Sequence, residues 1–374
     1  MTDVTLRATK GSPLTHTEMD NNQIATKSGR KNMIIGGNFG TNPWQRAETT
    51  TAAGGGYINA DRFQFNKSNA AVMNVAKAAG SPTVAESGIL STHCYQVDVT
   101  TADTSVAASD YHLLEYRMEG HDYAQIAQKP FVLSFWHGHT KTGVYCVAFR
   151  NSVGNKSFVA EYTQTTSNTW EKAIIKVPAS PASGTWNYTN GIGLFIEFTF
   201  MAGSDWPTTA GSWVTGNKLS TTNQVNALDS NSNFLRFNLI QLEAGIEATD
   251  FERRTVAEEV ALCQRYYEKT YNRNNVPGTA VDASRLISRI LTTVAIYHML
   301  NWQYKVTKRT IPTVTTYSPQ TGAAGTMEMG TTVAAPAAAG NLGVNTCYVD
   351  LNTATASSSP NHSVSCHLTA NAEL

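Results

Sequence analysis

The chain has 374 residues, which is enough for two or three domains that each bury a core. Charged residues make up only 15% of it, and the 28 basic residues balance the 28 acidic ones, so no basic surface is expected that could hold a nucleic-acid backbone. The longest apolar run, residues 191–201, contains Glu197 and is too short to cross a bilayer. We expect neither nucleic-acid binding nor membrane insertion, and residues 1–7 lack the apolar core of a secretory signal.

Residues 1–30 contain one short predicted helix. Thr15 and Glu18 have the spacing of a capping box, in which each side chain bonds the backbone N–H of the other residue. Leu14 and Met19 lie where a hydrophobic staple would place them. A helix of this length is marginal alone, so it must dock on a partner. These four side chains are therefore predicted to form an attachment peptide, and the alternative is a helix that closes a domain.

Residues 31–254 have the alternating apolar pattern of β-strands, separated by polar, turn-rich loops. Phe131 and Phe135 fall on one face of such a strand. Predicted strands cover residues 131–137, 144–149, 170–177, 193–200 and 234–242. Many short strands without intervening helices favour a β-sandwich of the jelly-roll type. In the last strand the alternation changes phase between Leu239 and Ile240, which indicates a bulge or a misassigned strand.

Residues 255–374 begin with a predicted inter-domain helix and continue as strands. A second capping box, at Thr255 and Glu258, starts the helix, and apolar residues at helical spacing extend it to Lys269. Strands are predicted at residues 287–298, 302–307, 313–317 and 346–351. The Ala/Gly-rich residues 330–343 are predicted to be a loop or a tightly packed strand. The predicted fold class is therefore mostly β: a jelly-roll β-sandwich and a smaller C-terminal β domain, with short N-terminal and inter-domain helices.

The residue types that carry metal or redox chemistry do not form a recognisable motif. The five cysteines are far apart, without a Cys-x-x-Cys pair, and are predicted to be buried free thiols. His137 and His139 share one face of a strand, a spacing that suits metal ligands, but no third ligand can be identified. Polar surface histidines are the preferred interpretation. We predict no metal, no cofactor and no catalytic residue.

Several segments resemble proteins of tailed-bacteriophage virions. The run KNMIIGGNFGTNPWQR and five later segments are similar to tail-fibre and related virion proteins: residues 31–46, 60–63, 239–245, 251–254, 262–269 and 367–374. Residues 10–22 resemble an N-terminal piece found in many phage tail and fibre proteins. Each segment is short, but together they bracket the whole chain in a specific order.

The resemblance implies a virion-attachment peptide in residues 1–30 and a jelly roll like those of carbohydrate-binding modules in residues 31–254. Residues 255–374 would form a connecting helix and a C-terminal β domain. A homotrimer is also implied, with contacts through the N-terminus to other virion proteins of the tail, baseplate or collar. The protein would be assembled in the host cytoplasm and exposed on the released particle, where it would bind a glycan or receptor on the host surface.

Aromatic and acidic side chains at a sheet surface supply the candidate glycan site. Sugars bind by stacking their C–H faces on aromatic rings, with a few fixed polar groups. Trp136, Phe195 and Glu197 are the candidates, and Trp44 is a further aromatic residue for such a surface. Phe195 and Glu197 alternate with apolar residues and therefore face away from them. The alternative is that these aromatic residues fill the core or an interface between protomers.

Two other functions remain open. A tailspike-type polysaccharide depolymerase needs a long repetitive β-helix, which this sequence lacks, or a tight acidic cleft in the jelly roll. Glu115, Glu119 and Asp122 are the candidate carboxyl groups, but acidic side chains in tandem are common on any solvated face. A head-fibre or decoration protein would have no receptor at all. The sequence favours a non-catalytic tail fibre or receptor-binding subunit over both.

Overall fold

The computed structural model describes residues 12–13, 31–290, 298–329, 332–351 and 362–374. The chain is mostly β, as the sequence predicts, and divides into two compact units. Of the described residues, the first unit comprises 31–42, Thr49–Ile58 and Phe63–Thr255. The second unit comprises Pro43–Glu48, Asn59–Arg62 and Val256–Leu374. Independent folding of the predicted domains stays a prediction.

The strands of the first unit form two antiparallel sheets of six strands each. They are β1 (Thr49–Thr50), β2 (Phe63–Lys67), β3 (Val72–Ala79), β4 (His93–Thr101), β5 (Tyr111–Glu119), β6 (Phe131–His139), β7 (Gly143–Arg150), β8 (Lys156–Gln164), β9 (Glu171–Val177), β10 (Ile192–Ala202), β11 (Trp213–Thr215) and β12 (Phe234–Ala244). Sheet I has the order β1-β3-β4-β12-β6-β9, and sheet II has the order β11-β8-β7-β10-β5-β2. Because the chain crosses repeatedly between the sheets, this unit is a jelly-roll β-sandwich, which confirms the predicted fold class. Two short helices, α1 (Val84–Ser87) and α2 (Gly120–Tyr123), lie in the connections.

Aromatic side chains from both sheets form the core between them. Phe135 of β6 contacts Phe198 of β10 with ring centroids 5.0 Å apart, and Phe131 contacts Phe149 at 5.5 Å. Both β6 residues therefore face the opposite sheet, as their alternation predicts. Phe237 of β12 packs against the rings of Phe135 and Phe198. The residues that alternate with these on β6 and β10 face away from the core.

A β-bulge interrupts β12 where the sequence pattern changes phase. The register against β6 shifts between Asn238 and Gln241, and Leu239 has a φ of +50°. The chain segment around Gly37 lies against this bulge, and Ile240 donates its N–H to the Gly37 carbonyl at 2.9 Å. A Cβ atom on Gly37 would lie 2.2 Å from the Ile240 carbonyl oxygen. Glycine at position 37 therefore allows the two backbones to approach closely.

Gly37→Ala is expected to destabilise the first unit by about 1–3 kcal/mol, because the added methyl group must displace backbone atoms. Gly54→Ala is the matched control, since nothing lies within 4 Å of a Cβ atom at that position. Urea unfolding followed by circular dichroism would measure both variants. Equal loss of stability in the two variants would contradict the close approach.

The strands of the second unit pair mainly with one long strand near the C-terminus. They are β13 (Tyr267–Lys269), β14 (Leu286–Ile290), β15 (His298–Gln303), β16 (Thr313–Tyr317), β17 (Thr326–Met329), β18 (Thr332–Pro336), β19 (Ala338–Gly340), β20 (Thr346–Leu351) and β21 (His362–Asn371). Strands β13, β14, β16 and β17 all pair with β21, whereas β15, β20 and β19 form a three-stranded sheet. The Ala/Gly-rich run contains β18 and β19, so it forms strands as one alternative predicts, although Ala338–Gly340 are exposed or half-buried rather than tightly packed.

Helix α3 (Val256–Gln264) is shorter than the sequence predicts. The predicted extension to Lys269 is wrong, because residues 267–269 pair with β21 as strand β13. Two adjacent tyrosines favour a strand, and ladder hydrogen bonds to β21 replace those of another helical turn. Cys263 is buried as expected, whereas Val256, an apolar residue of the first helical turn, is 44% exposed.

Residues 43–48 and 59–62 contribute buried charged side chains to the second unit, and these charges are paired within it. Arg62 is fully buried, forms an ion pair with Glu373, and places its guanidinium carbon 3.5 Å from the centroid of the Tyr266 ring. Arg46 contacts Asp61 at 3.5 Å and Glu373 at 3.3 Å. Burial raises the pKa of Asp61, and Arg46 opposes that shift. Each of these buried charges therefore has an opposite charge beside it, which offsets much of the cost of its desolvation.

All five cysteines are buried free thiols, as predicted. Burial raises the pKa of Cys94 and of Cys366 to about 12. These two thiols therefore stay protonated at neutral pH and are poor nucleophiles. In the part of the chain that the structure describes, no helix is long and apolar enough to span a bilayer.

Candidate functional site

The structure places the predicted glycan-binding residues on two different sheets. Trp136 is a half-buried residue of β6 in sheet I and alternates with the core residue Phe135. Phe195 and Glu197 lie together on β10 in sheet II, on the face opposite the core. The structure therefore brings Phe195 and Glu197 together but not Trp136, and their role in glycan binding stays a prediction. Trp44 belongs to the second unit and is buried, so its expected place on a sheet surface is wrong.

Two arginines flank Phe195 on the outer face of sheet II. The guanidinium carbon of Arg150 lies 4.8 Å from the ring centroid, and that of Arg117 lies 5.4 Å from it. Arg150 Nε donates to Glu197 Oε2 at 2.5 Å, and Arg117 Nε donates to Glu115 Oε1 at 2.5 Å. Phe195 is only 8% exposed. Its ring is therefore packed between cations, and little of its face is open to a ligand.

Glu115 and Glu197 are opposite one another on neighbouring strands, and both are fully buried. Burial raises the pKa of Glu197 to about 7, while Arg150 opposes the shift and Glu115 adds to it. Side chains in such a cross-strand pair have Cβ atoms about 5 Å apart. Glu119, another of the candidate carboxyl residues, lies four residues further along β5. At the usual rise per residue of a strand, it is about 13 Å from Glu115. The carboxyl pair is an internal charge cluster held by arginines.

The loop of residues 203–224 covers the middle of the same outer face. An apolar cluster joins the loop to β5, β7 and β8, and its members are Leu113, Cys146, Ala148, Val159 and Leu219. Tyr111 and Trp206 pack against this cluster, with ring centroids 5.2 Å apart. These contacts hold the loop on the sheet, so that the polar residues of the loop lie along the edge formed by β8.

At this edge, the loop and strand β8 form a pocket of about 570 Å³. Its lining residues are Glu161, Pro207, Thr208, Thr209, Ala210, Thr221, Thr222 and Asn223. Most of these side chains carry a hydroxyl, amide or carboxylate group, and none is basic. The volume falls in the range of about 300–1,000 Å³ that is typical of small-ligand sites.

Glu161 organises the polar groups of this pocket. Its Oε1 atom accepts hydrogen bonds from Thr221 Oγ1 at 2.5 Å and from Asn223 Nδ2 at 3.0 Å. The Thr208 N–H donates to the Ser220 carbonyl at 2.8 Å, which joins the two arms of the loop. The pocket therefore combines a fixed acceptor with hydroxyl and amide groups that can both donate and accept.

Sequence reasoning missed this pocket because most of its lining comes from a segment without a strand pattern. Residues 203–207 indicate only a turn, and Glu161 is a single acidic residue on a long strand. The available signal was compositional: the short polar runs 208–209 and 221–223 consist of threonine and asparagine. Only the fold brings these two runs together beside β8.

His137 and His139 are core residues, so their interpretation as surface histidines is wrong. His137 Nδ1 lies 2.8 Å from Gln164 Oε1, and His139 Nε2 lies 3.2 Å from the Tyr162 hydroxyl. Both imidazoles continue the alternation of Phe135 along β6 and point into the sandwich, where burial lowers their pKa. Among the described residues, no group of three or more His, Cys, Asp or Glu is placed to hold a metal ion.

Comparison with solved structures finds weak similarity to phage and carbohydrate-binding domains. The enzymatically active domain of tailspike protein 4 from bacteriophage CBA120 is 9% identical, over 57% of this chain and 21% of that chain, with a TM-score of 0.30. A carbohydrate-binding module in complex with β-1,4-galactotriose is 11% identical, over 58% of this chain and 100% of its own, with a TM-score of 0.29. A family 11 carbohydrate-binding module from Clostridium thermocellum, in complex with a mixed-linked tetrasaccharide, is 14% identical over 54% of this chain and 97% of its own, with a TM-score of 0.28. At these TM-scores the similarity carries no argument about ligands. No model of a known protein family matches the chain, and no curated protein matches it.

Proposed function

We propose that the chain is a glycan-recognition subunit of a tailed-phage fibre, which binds saccharides of the host surface and does not cleave them. The pocket at Glu161 is the observation that carries the recognition part. Its volume and its polar lining suit a short saccharide. The segments that resemble phage virion proteins support the fibre part, including residues 31–46 and 251–254.

The chemistry of the pocket favours a ligand rich in hydroxyl groups. The lining has one carboxylate and no basic side chain, so it offers no counter-charge to a phosphate or to an acidic peptide. Threonine hydroxyls and the asparagine amide both donate and accept, whereas Glu161 only accepts when it is ionised. Sugar hydroxyls have the same dual capacity, and several can be satisfied at once in such a pocket.

The position of the acidic residues supports binding without cleavage over the depolymerase alternative. Glycoside hydrolysis uses two carboxyl groups on either side of an accessible bond. The pocket lining contains one carboxyl group, that of Glu161. Glu115 and Glu197 are close to each other, but both are fully buried beneath arginines. Neither arrangement presents an acid and a nucleophile to a sugar.

Attachment to the particle and trimer formation belong to the same proposal. The predicted attachment residues Leu14, Thr15, Glu18 and Met19 lie outside the described residues. The spacing of a capped, stapled helix in the sequence supports their role. A homotrimer is supported by the resemblance to fibre proteins and would raise avidity for a repetitive polysaccharide.

Thr208→Val with Thr209→Val is expected to weaken glycan binding by about tenfold or more, because two hydroxyl groups leave the pocket. The protein would first be tested on an array of bacterial surface polysaccharides, and affinity for the best ligand would be measured by calorimetry. Thr104→Val, at an exposed threonine outside the pocket, is the matched control and should leave affinity unchanged.

Absence of binding to any polysaccharide on the array would contradict glycan recognition and favour a decoration protein. Unchanged affinity in the double variant would move recognition away from this pocket. Incubation of the bound polysaccharide with the protein should release no reducing ends, and their release would establish the depolymerase alternative instead.

A further inference from the structure

A second group of aromatic rings lies in the loop of residues 178–191, outside the pocket. Tyr188 is 39% exposed, and Trp186 is half-buried. Both rings stack on Tyr123, with centroids 6.0 Å apart for Tyr188 and 5.1 Å apart for Trp186. Trp213 contacts Trp186 edge-on at 5.7 Å. Trp186, Tyr188 and Trp213 are called the aromatic platform below.

The platform is fixed in place before any ligand arrives. Trp213 Nε1 donates to the Pro178 carbonyl at 3.0 Å. Tyr123 is fully buried, and its hydroxyl donates to Ser180 Oγ at 2.8 Å. The exposed rings therefore rest on a buried ring, and the loop is tied to that ring through the Ser180 hydroxyl. Because these rings are already ordered, the protein loses little conformational entropy when a ligand stacks on them.

The loop that carries Trp186 and Tyr188 is polar and has no charge of its own, and Lys156 of β8 lies against it at Gly184. Residues 178–191 contain no charged side chain and are rich in Ser, Thr, Asn and Gly. Thr185 and Thr189 are exposed beside the rings. Flat ring faces bordered by neutral hydroxyl and amide groups match a pyranose, which has an apolar C–H face and a rim of hydroxyls. A highly charged partner would find no counter-charge in this loop.

Both the platform and the pocket lie beside strand β8, which is next to the edge strand β11 in sheet II. Trp213 is opposite Phe158 on β8, and Glu161 is three residues further along that strand. At about 3.3 Å per residue, the separation along the strand is about 10 Å. Trp213 shares the inner face of sheet II with Phe158, whereas Glu161 lies on the outer face, so a saccharide that contacts both sites must pass around the edge of the sheet and span more than this distance.

We propose that the aromatic platform is a second saccharide subsite, which binds a neutral pyranose by stacking its C–H face on Tyr188 and Trp186. The inference rests on the proposed function, because the pocket and the platform take the same class of ligand. In this proposal the platform contacts uncharged sugar units of the polysaccharide. The pocket then holds another sugar unit further along the same polysaccharide.

Tyr188→Ala is expected to weaken binding of a neutral bacterial polysaccharide by about three- to tenfold, since one ring face is lost. Tyr188→Phe is the matched control, because it keeps the ring and should keep most of the affinity. In wild-type protein with ¹⁵N-labelled indoles, the saccharide should shift the signals of Trp186 and Trp213. The signal of Trp302, which is buried in the second unit, should not move.

The outcomes separate the platform from the pocket. If polysaccharide binds and Thr208→Val with Thr209→Val weakens it, but Tyr188→Ala and the two indole signals show no effect, the platform proposal is wrong and the proposed function stands. If the wild-type protein binds no polysaccharide, both are wrong. Loss of self-association in Tyr188→Ala, with glycan affinity unchanged, would make the platform a protein interface and also overturn the proposal. Equal loss of affinity in Tyr188→Phe would show that stacking is not the interaction.

Discussion

Arg62→Met is expected to lower the free energy of unfolding of the second unit by about 3–5 kcal/mol, the usual cost of leaving one member of a buried ion pair alone. The Arg62 side chain has no exposure to solvent, and its partner Glu373 is nearly as buried. Removal of the guanidinium would also remove its stacking on the Tyr266 ring. Glu373 would keep Arg46 as a neighbour at 3.3 Å, which limits the loss.

Urea unfolding, with hydrogen exchange of peptides from β21 as the local probe, would measure this effect. Arg273→Met removes an exposed arginine of the same unit and should change stability by no more than about 0.5 kcal/mol. The double variant Arg62→Met with Glu373→Gln should cost less than the sum of the two single changes, because neither charge is then left alone. Additive losses would mean that the pair is not coupled.

Acidification from pH 7 to pH 5 is expected to destabilise the first unit, because three of its histidines are buried as neutral imidazoles. Burial lowers the pKa of His112, His137 and His139 below the usual value. Between that lowered pKa and about 6.5, the unfolded chain binds a proton that the folded chain does not, so stability falls as the pH falls. The limiting slope is about 1.4 kcal/mol per pH unit for each histidine.

Glu197 acts in the opposite direction over the whole of this range. Its pKa is raised to about 7, so the folded state binds the extra proton, and this contribution to stability increases as the pH falls toward its unfolded pKa. One group of this sign opposes three of the other sign, and net acid destabilisation is expected. The sign of the measured slope therefore tests whether the histidines remain neutral.

The slope can be assigned by replacing one histidine. His112 stacks on Phe200 at 5.9 Å and meets Phe65 edge-on at 5.4 Å, so a phenyl ring would keep these ring contacts but would lose the hydrogen bond between Nδ1 and Asn69 Oδ1. His112→Phe should reduce the slope of unfolding free energy against pH by up to about 1.4 kcal/mol per pH unit. His121→Phe, at an exposed histidine, should leave the slope unchanged. Equal slopes in wild-type and His112→Phe protein would rule out His112 as a contributor.

Local sequence patterns predicted the strands of the sandwich well, because alternation follows directly from burial of one face of a strand. The run 131–137 identified both strand β6 and its inner face. The phase change near Leu239 indicated a bulge. The sequence did not predict that the segment at Gly37 packs against this bulge, because that segment is about two hundred residues away. The end of helix α3 was missed because β21, which pairs with residues 267–269, is about one hundred residues away in sequence.

The geometry of the candidate site depends even more on contacts between residues that are far apart in the sequence. Trp136 and Phe195 look alike as aromatic residues on strands, but the order of strands places them on different sheets. His137 and His139 look polar, yet their alternation with Phe135 puts them in the core. The rings of residues 178–191 and the pocket of residues 203–224 lie in segments that sequence patterns describe only as turns. The conformation of a loop depends on the strands that it connects and packs against. Local periodicity therefore does not predict which loop residues come together.

The second unit is built from three stretches of the chain, two of which precede most of the first unit in the gene. A recombination junction at codon 255 would separate Asp61 and Arg62 from the unit that buries them. Exchange of residues 256–374 between genes would thus transfer a second unit that lacks residues 43–48 and 59–62. Changes within residues 178–191 or 203–224 affect the first unit alone, because each segment begins and ends within that unit. Sequence changes confined to these loops therefore leave all three stretches of the second unit unaltered.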